Sequence, residues 1–487
     1  MFSRLLNGWM GLLAAFAVAE GVQAADGSET LPPRPNILFL LTDDQSIDSI
    51  RALGNLDVDT PNLDRLAARG LTFTHAYNMG SWHAAVCMPS RAMLQTGRFL
   101  WDQRRVDDAM EDERREGRLW SEILKAAGYR TYLTGKWHVR LDAASTFEET
   151  GTVRPGMPDV VPNRHPHAYD RPREGVPDPW DPANPAEGGF WSGGRHWSEV
   201  LADETVAFLE GVGGDDRPFF VYAAFNAPHD PRQAPPSYLD RYPPDRIALP
   251  ANFLPEYPFR DAIGSPHSLR DEFLAPMPRT AHAVAVHRRE YFALVTHLDT
   301  QIGRILDALE RSGRAASTWI ILTSDHGLAV GRHGLMGKQN LYEHSVRVPF
   351  IVAGPGVPAG RRTDEPIYYQ DVMPTTLELA GVAIPGHVSY QSLVPIVRGD
   401  GRSKYRSIYT AYTDCQRAVS MDGWKLMVYP TLQRARLYHL TEDPDERRDL
   451  AGDARHIGRV RELFRELRQW QVRTGDETDL GFVPPGE

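Results

Sequence analysis

The chain has 487 residues, 41% of them hydrophobic and 24% charged, with a formal net charge of -10. This suits one large α/β unit with a smaller one beside it, and an acidic balance with no long lysine or arginine run excludes nucleic acid as the main partner. An anionic substrate would have to meet a local cationic pocket, because the overall field does not attract it.

Met1 to Ala24 reads as a signal peptide, with Arg4 in the charged region, Trp9 to Val18 as the apolar run and Val22-Gln-Ala24 as a small-residue cleavage site. That run is shorter than the roughly twenty apolar residues of a membrane span. The expectation is a periplasmic or secreted protein, cleaved near Ala24/Ala25, with no membrane partner. Export makes the cysteines informative. Cys87 and Cys415 are the only two, and an oxidising compartment permits one disulfide between them. A nucleophile or a covalently converted side chain are the other readings of Cys87.

Pro35 to Thr42 is a continuous apolar run, the pattern of a strand buried on both faces, and it runs into Asp43-Asp44. Thr60 to Gly70 reads as a helix with a threonine cap, a proline in its first turn and a closing glycine. Pro89 is placed for the first turn of another helix, ending at Thr96-Gly97 and putting Cys87 at its N-terminus, with Arg91 one turn in. A helix after Arg118 is followed by a strand over Gly128–Thr134, which leads into Gly135-Lys-Trp-His138. A helix over Trp197–Glu210 precedes a strand over Arg217–Phe225, ending at Asn226-Ala-Pro-His-Asp230. Tyr291–Ser312 carries Leu294, Leu298, Ile302, Ile305 and Leu309 at helical spacing, and the strand Ser317–Thr323 then ends at Ser324-Asp-His-Gly327.

Strand and helix alternating in this way predict a doubly wound, mostly parallel α/β sheet with helices on both faces, whose ligands bind at the carboxyl ends of the strands. Two long proline-rich stretches, 152–191 and 228–279, interrupt the pattern, a length that points to function or disorder. Trp180, Phe190, Trp191 and Trp197, beside Arg195 and His196, are either a pocket wall that stacks on sugars or the packing of a loop. Beyond Pro385, a hairpin with an Asp422-Gly423 turn, a short strand at 436–440 and a helix lined by Ile457, Val460, Leu463, Phe464, Leu467 and Trp470 predict a small α+β subdomain. The predicted division is a signal peptide at 1–24, a catalytic domain at 25–385 and an antiparallel-sheet subdomain at 386–487.

Asp43, Asp44 and Asp325 arrive from different strands, and three carboxylates brought together repel unless a cation joins them. A hard divalent ion, Ca²⁺ or Mg²⁺, answers that repulsion. His326 is a less comfortable ligand, because nitrogen is softer than Ca²⁺ prefers. At position 87 the helix terminus and Arg91 favour an anion or a thiolate.

Cys87-Met-Pro-Ser-Arg91, continued by Thr96-Gly-Arg98, resembles the signature of the type I, formylglycine-dependent sulfatase family of the alkaline phosphatase superfamily. Gly128 to His138 resembles that family's second signature. Asp43-Asp44, Ala-Pro-His229, Ser-Asp-His-Gly327 and Gly337-Lys338 before Tyr342-Glu fall in the family's order, so the likeness covers nearly the whole chain after residue 34. The resemblance implies that a separate formylglycine-generating enzyme oxidises Cys87 to Cα-formylglycine, whose hydrate is the nucleophile. It implies Ca²⁺ held by Asp43, Asp44, Asp325, His326 and residue 87, although the family often has asparagine where His326 stands. Arg91 and Lys136 would neutralise the hydrate and the sulfate. Asp325 would be the base, and His138 would take the second proton. His229 and Lys338 would bind sulfate and protonate the leaving alcohol. Cys415 is then expected to be a buried small hydrophobe. The function expected is an exported sulfatase acting on a carbohydrate or polysaccharide fragment. The alternatives are an aryl or choline sulfatase, a phosphodiester or phosphonate monoester hydrolase of the same superfamily, and an inactive carbohydrate-binding relative.

Overall fold

A computed structural model describes residues 34–486, so the expected signal peptide lies outside the described residues. In chain order the strands are β1 (Asn36–Thr42), β2 (Leu71–Tyr77), β3 (Gly80–Ser81), β4 (Arg130–Lys136) and β5 (Glu149–Arg154). They continue with β6 (Trp191–Ser192), β7 (Arg195–His196), β8 (Phe219–Ala224), β9 (Thr318–Ser324), β10 (Arg347–Ala353), β11 (Arg361–Thr363) and β12 (Ile367–Tyr368). The last four are β13 (Ile408–Tyr412), β14 (Gln416–Met421), β15 (Trp424–Tyr429) and β16 (Arg434–His439).

The main sheet has the order β11-β2-β10-β9-β1-β8-β4-β5, with β12 also on β2. β1 is central and buried at every position, as its unbroken apolar run requires. Ile37, Phe39 and Leu41 point into a layer with Trp120 and Leu377. Leu38 and Leu40 point the other way, against Leu201 and Leu298. Helices Trp120–Ala126 and Val372–Leu379 therefore cover one face, and Trp197–Gly211 and Ala281–Arg311 the other. Burying each large side chain of β1 contributes about 1.5–3 kcal/mol. β1 pairs in parallel with β8 and β9, and β8 with β4, so the polar ends of these four strands meet along one edge. The doubly wound, mostly parallel fold is present.

The exception is β10, which runs antiparallel to both β9 and β2. Pro349 sits at the register shift between Val348 and Phe350, and a proline inside an apolar run argues against a central strand unless a bulge absorbs it. The helix expected from Tyr291 begins at Ala281, ten residues earlier; its first turns bury His287, Arg288 and Glu290 beside Ala283, Val284 and Val286, which blurs the apolar stripe.

The C-terminal sheet has the order β16-β15-β14-β13-β3. Asp422 and Gly423 both have positive φ at the β14–β15 turn, as that dipeptide favours. Helix Ile457–Thr474 packs on this sheet through Val460, Leu463, Leu467 and Trp470. The edge strand β3 comes from the N-terminal part of the chain and pairs in parallel with β13, Gly80 with Ala411 and Ser81 with Tyr412. Of the aromatic residues in the first long loop, Trp180 and Phe190 are buried in packing clusters with Tyr169 and Leu274 or with Trp197 and Leu201. Among the described residues no helix is long and apolar enough to cross a membrane.

Candidate active site

The site forms where the strands end. β1 delivers Asp43 and Asp44, and β9 delivers Asp325. β4 ends in Lys136, and β8 leads to His229. Helix Cys87–Thr96 begins at Cys87 and closes on Gly97 in the left-handed region, with Arg91 on its second turn.

One oxygen or sulfur from each of Asp43, Asp44, Cys87 and Asp325 lies within 4.8 Å of the others, all of them buried. The Cys87 thiol donates to Asp43 Oδ1 at 3.1 Å, and Lys338 Nζ donates to Cys87 Sγ at 3.0 Å. Lys338 also reaches both Asp44 oxygens at 2.7 Å. Lys136 Nζ pairs with Asp43 Oδ2 at 2.5 Å. Arg91 Nε donates to Asp325 Oδ2 at 2.8 Å, and its Nη1 to the Lys136 carbonyl at 2.7 Å.

The charges define what this arrangement can bind. Burial and the neighbouring carboxylate of Asp325 push Asp43 up, against the pull of Lys136 and Lys338. Burial drives Asp44 well above the usual carboxylate range, although Lys338 opposes it. Burial acts the same way on Asp325, but Arg91, Lys136 and Lys338 overcome it and hold this carboxyl well below the usual range. The Cys87 thiol is pushed well up by burial and then by Asp325 and Asp43, so an unmodified cysteine here is a poor thiolate nucleophile. Carboxylates that crowd one another without contact to water fit a hard divalent cation with oxygen ligands.

His229 donates from Nδ1 to the Asp230 carbonyl at 2.7 Å, which leaves Nε2 facing Asp44 Oδ2 at 3.7 Å. His138 has a positive φ, its ring lies against Gly156, and its Nδ1 has no partner among the described residues. Burial, with Lys136, Arg91 and Lys338, lowers its pKa to about 2, so it is neutral. The expected donor His326 does not join the converging group. Its Nδ1 donates to the Gly327 carbonyl at 3.0 Å, and burial lowers its pKa to about 4. Cys87 and Cys415 are both free, so no disulfide forms between them. Cys415 is only partly buried, in the β13–β14 turn beside Asp414 at 3.4 Å, because its strand ends there and not in the core.

Sequence reasoning missed two supports of this site. Asn78 Nδ2 and Ser90 Oγ both donate to the Asp325 carbonyl at 2.8 Å. The serine lies inside the Cys-x-Pro-x-Arg signature, which was the available signal; Asn78 has none. Asp271 and Asp230, bridged by Arg270, form a second charged layer next to His229 and Lys338.

Two families match the chain, Sulfatase over residues 35–382 and the C-terminal part of N-sulphoglucosamine sulphohydrolase over 331–473. Among curated relatives, an N-acetylglucosamine-6-O-sulfatase of Bacteroides thetaiotaomicron is 25% identical, covering 96% of this chain and 91% of its own. A choline-sulfatase of Rhizobium meliloti is 30% identical, covering 91% and 88%. Among solved structures, a phosphonate monoester hydrolase from Silicibacter pomeroyi superposes with a TM-score of 0.71 at 23% identity, covering 91% and 96%.

Proposed function

The chain belongs to the sulfatase family, and from that premise we propose that it hydrolyses a sulfate ester on a sugar, using residue 87 as Cα-formylglycine. The carrying observation is the single buried cluster in which Cys87, three aspartates and two lysines meet. The carbohydrate substrate is supported by the relative named for N-acetylglucosamine 6-O-sulfate. Export, by cleavage near Ala24, and maturation by a separate formylglycine-generating enzyme belong to the same proposal, as does the division into a catalytic domain at 25–385 and a subdomain at 386–487.

The Cys87 sulfur stands where the oxidised side chain would carry its hydroxyls. Once hydrated, that side chain supplies one hydroxyl to attack sulfur and a second whose deprotonation releases the sulfate. Asp43, Asp44 and Asp325 would hold a divalent cation, Ca²⁺ or Mg²⁺, that neutralises sulfate oxygens. Asp325 is held by Arg91 as an ionised base at the nucleophile. Lys136 and Arg91 neutralise charge at residue 87 and on the sulfate. Lys338 and the Nε2 edge of His229 face the leaving alcohol, and neutral His138 accepts the second proton. Fixed cations in a buried site are the largest expected source of rate.

The test is turnover of an aryl sulfate by protein whose residue 87 has been weighed in its peptide. Conversion removes about 18 Da, whereas the competing oxidations add mass. Wild type is expected to show the loss and to turn over, and Cys87→Ala to be inactive while folded. Unconverted, inactive wild type from its native compartment would favour the carbohydrate-binding reading. The phosphonate hydrolase likeness supports a second reading; faster turnover of an aryl phosphodiester than of the sulfate would establish it.

A further inference from the structure

Tyr222 occupies the middle of β8, in register with Phe39 of β1 and Leu133 of β4. Rings of Phe39, Trp120, Trp137 and Phe147 wall it in. Such a cage suits phenylalanine. The hydroxyl is fully buried and has no hydrogen-bond partner among the described residues, which disfavours a tyrosine kept for packing alone. Among the other fully buried groups in this condition are both amide atoms of Gln95, and Nη2 of Arg91. Gln95 follows Arg91 by one helical turn, on the same face. The groups are neighbours. Burial pushes the Tyr222 hydroxyl up to about 12, and Arg91, Asp325 and the Gln95 amide act on it next.

We propose that Tyr222 and Gln95 are positioning residues for Arg91, giving its Nη2 a third anchor through one shared water. Three or four polar partners around one molecule are what a buried water requires. Nε is already tied to Asp325 and Nη1 to the Lys136 carbonyl. The third anchor fixes the guanidinium in its own plane, and Asp325 with it. Neither Tyr222 nor Gln95 touches the reacting atoms; both act through Arg91. This rests on the reading that Arg91 and Asp325 serve the nucleophile, and wild-type turnover tests that reading separately.

The experiment compares Tyr222→Phe, Gln95→Met and the double variant, with kcat divided by the fraction of residue 87 converted. Each single variant is expected to lower kcat about tenfold, the loss typical of a displaced catalytic group at the modest end, with KM unchanged. The Tyr222→Phe melting temperature should stay close to that of wild type, because the aromatic cage is kept and only one hydrogen bond is lost. The double variant should lose no more than the worse single one, since both act on one water. Unchanged kcat in both single variants overturns the proposal. So does a loss of kcat that tracks a falling melting temperature, which marks packing, or a double loss equal to the product of the two.

Discussion

Lys338 shows how much one side chain carries here: it is buried, donates to both oxygens of Asp44, and touches Cys87 Sγ. Lys338→Met keeps the stem and removes the charge, leaving Asp44 without its nearest cation. Breaking one side of a buried ion pair costs about 3–5 kcal/mol, and loss of a charge-stabilising group costs about 10²–10³ in kcat. The expected outcome is a lower melting temperature together with that loss of rate, both read on the same preparation. Much at this scale was legible in the sequence. Asp43, Asp44, Lys136 and Asp325 stand in motifs at strand ends, Cys87 and Arg91 in a helix motif and Lys338 in a loop motif, and the fold brings them into contact. His326, next to Asp325, has its Nδ1 tied to the Gly327 carbonyl.

Two elements set the position of Cys87. The first is β3, two residues long, whose pairing with β13 anchors the loop running into helix Cys87–Thr96. Gly80 has a φ of 106°, and a Cβ there would overlap the Ala411 carbonyl. Gly80→Ala should therefore unseat the strand, lowering both melting temperature and activity, whereas Gly117→Ala, strained but open in space, should cost only a fraction of that. The second is helix Val372–Leu379, entered through Asp371. That carboxyl accepts from Tyr368 N at 3.0 Å, Tyr405 Oη at 2.8 Å and Gln391 N at 2.9 Å. Burial raises its pKa to about 7, against its hydrogen bonds. The folded state then binds this proton more tightly than the unfolded one. Its stabilising contribution is complete below about pH 4 and is lost as pH rises through about 7. Melting temperature measured across that window should carry this downward component, and Asp371→Asn should remove it, apart from a constant offset for the lost Tyr368 bond. Elements with plain periodicity, such as β1 and the last helix, were readable in the sequence. β10 was not, because Pro349 disguises a central strand, and β3 was not, because two residues carry no period.

Across the molecule, the site collects residues from position 43 to position 338, so it exists only when the whole sheet has closed. A divalent ion binding there binds the folded state alone, and adds about 2.7 kcal/mol at a hundredfold excess over its Kd. Chelation should accordingly abolish turnover and lower the melting temperature, and Ca²⁺ or Mg²⁺ added back should restore both; unaffected turnover would contradict the assigned ligands.

The burial of Cys87, which is 2% exposed beneath its neighbours, also imposes an order of events in time. A modifying enzyme has to hold the Cys87-Met-Pro-Ser-Arg91 segment as accessible peptide, and the finished fold hides it within a helix. The proposed oxidation must therefore precede closure of the chain, so a molecule that collapses first is locked as an inert thiol. Incubating folded, unconverted protein with the modifying activity should leave that peptide's mass unaltered, while the same treatment of nascent or unfolded chain should change it.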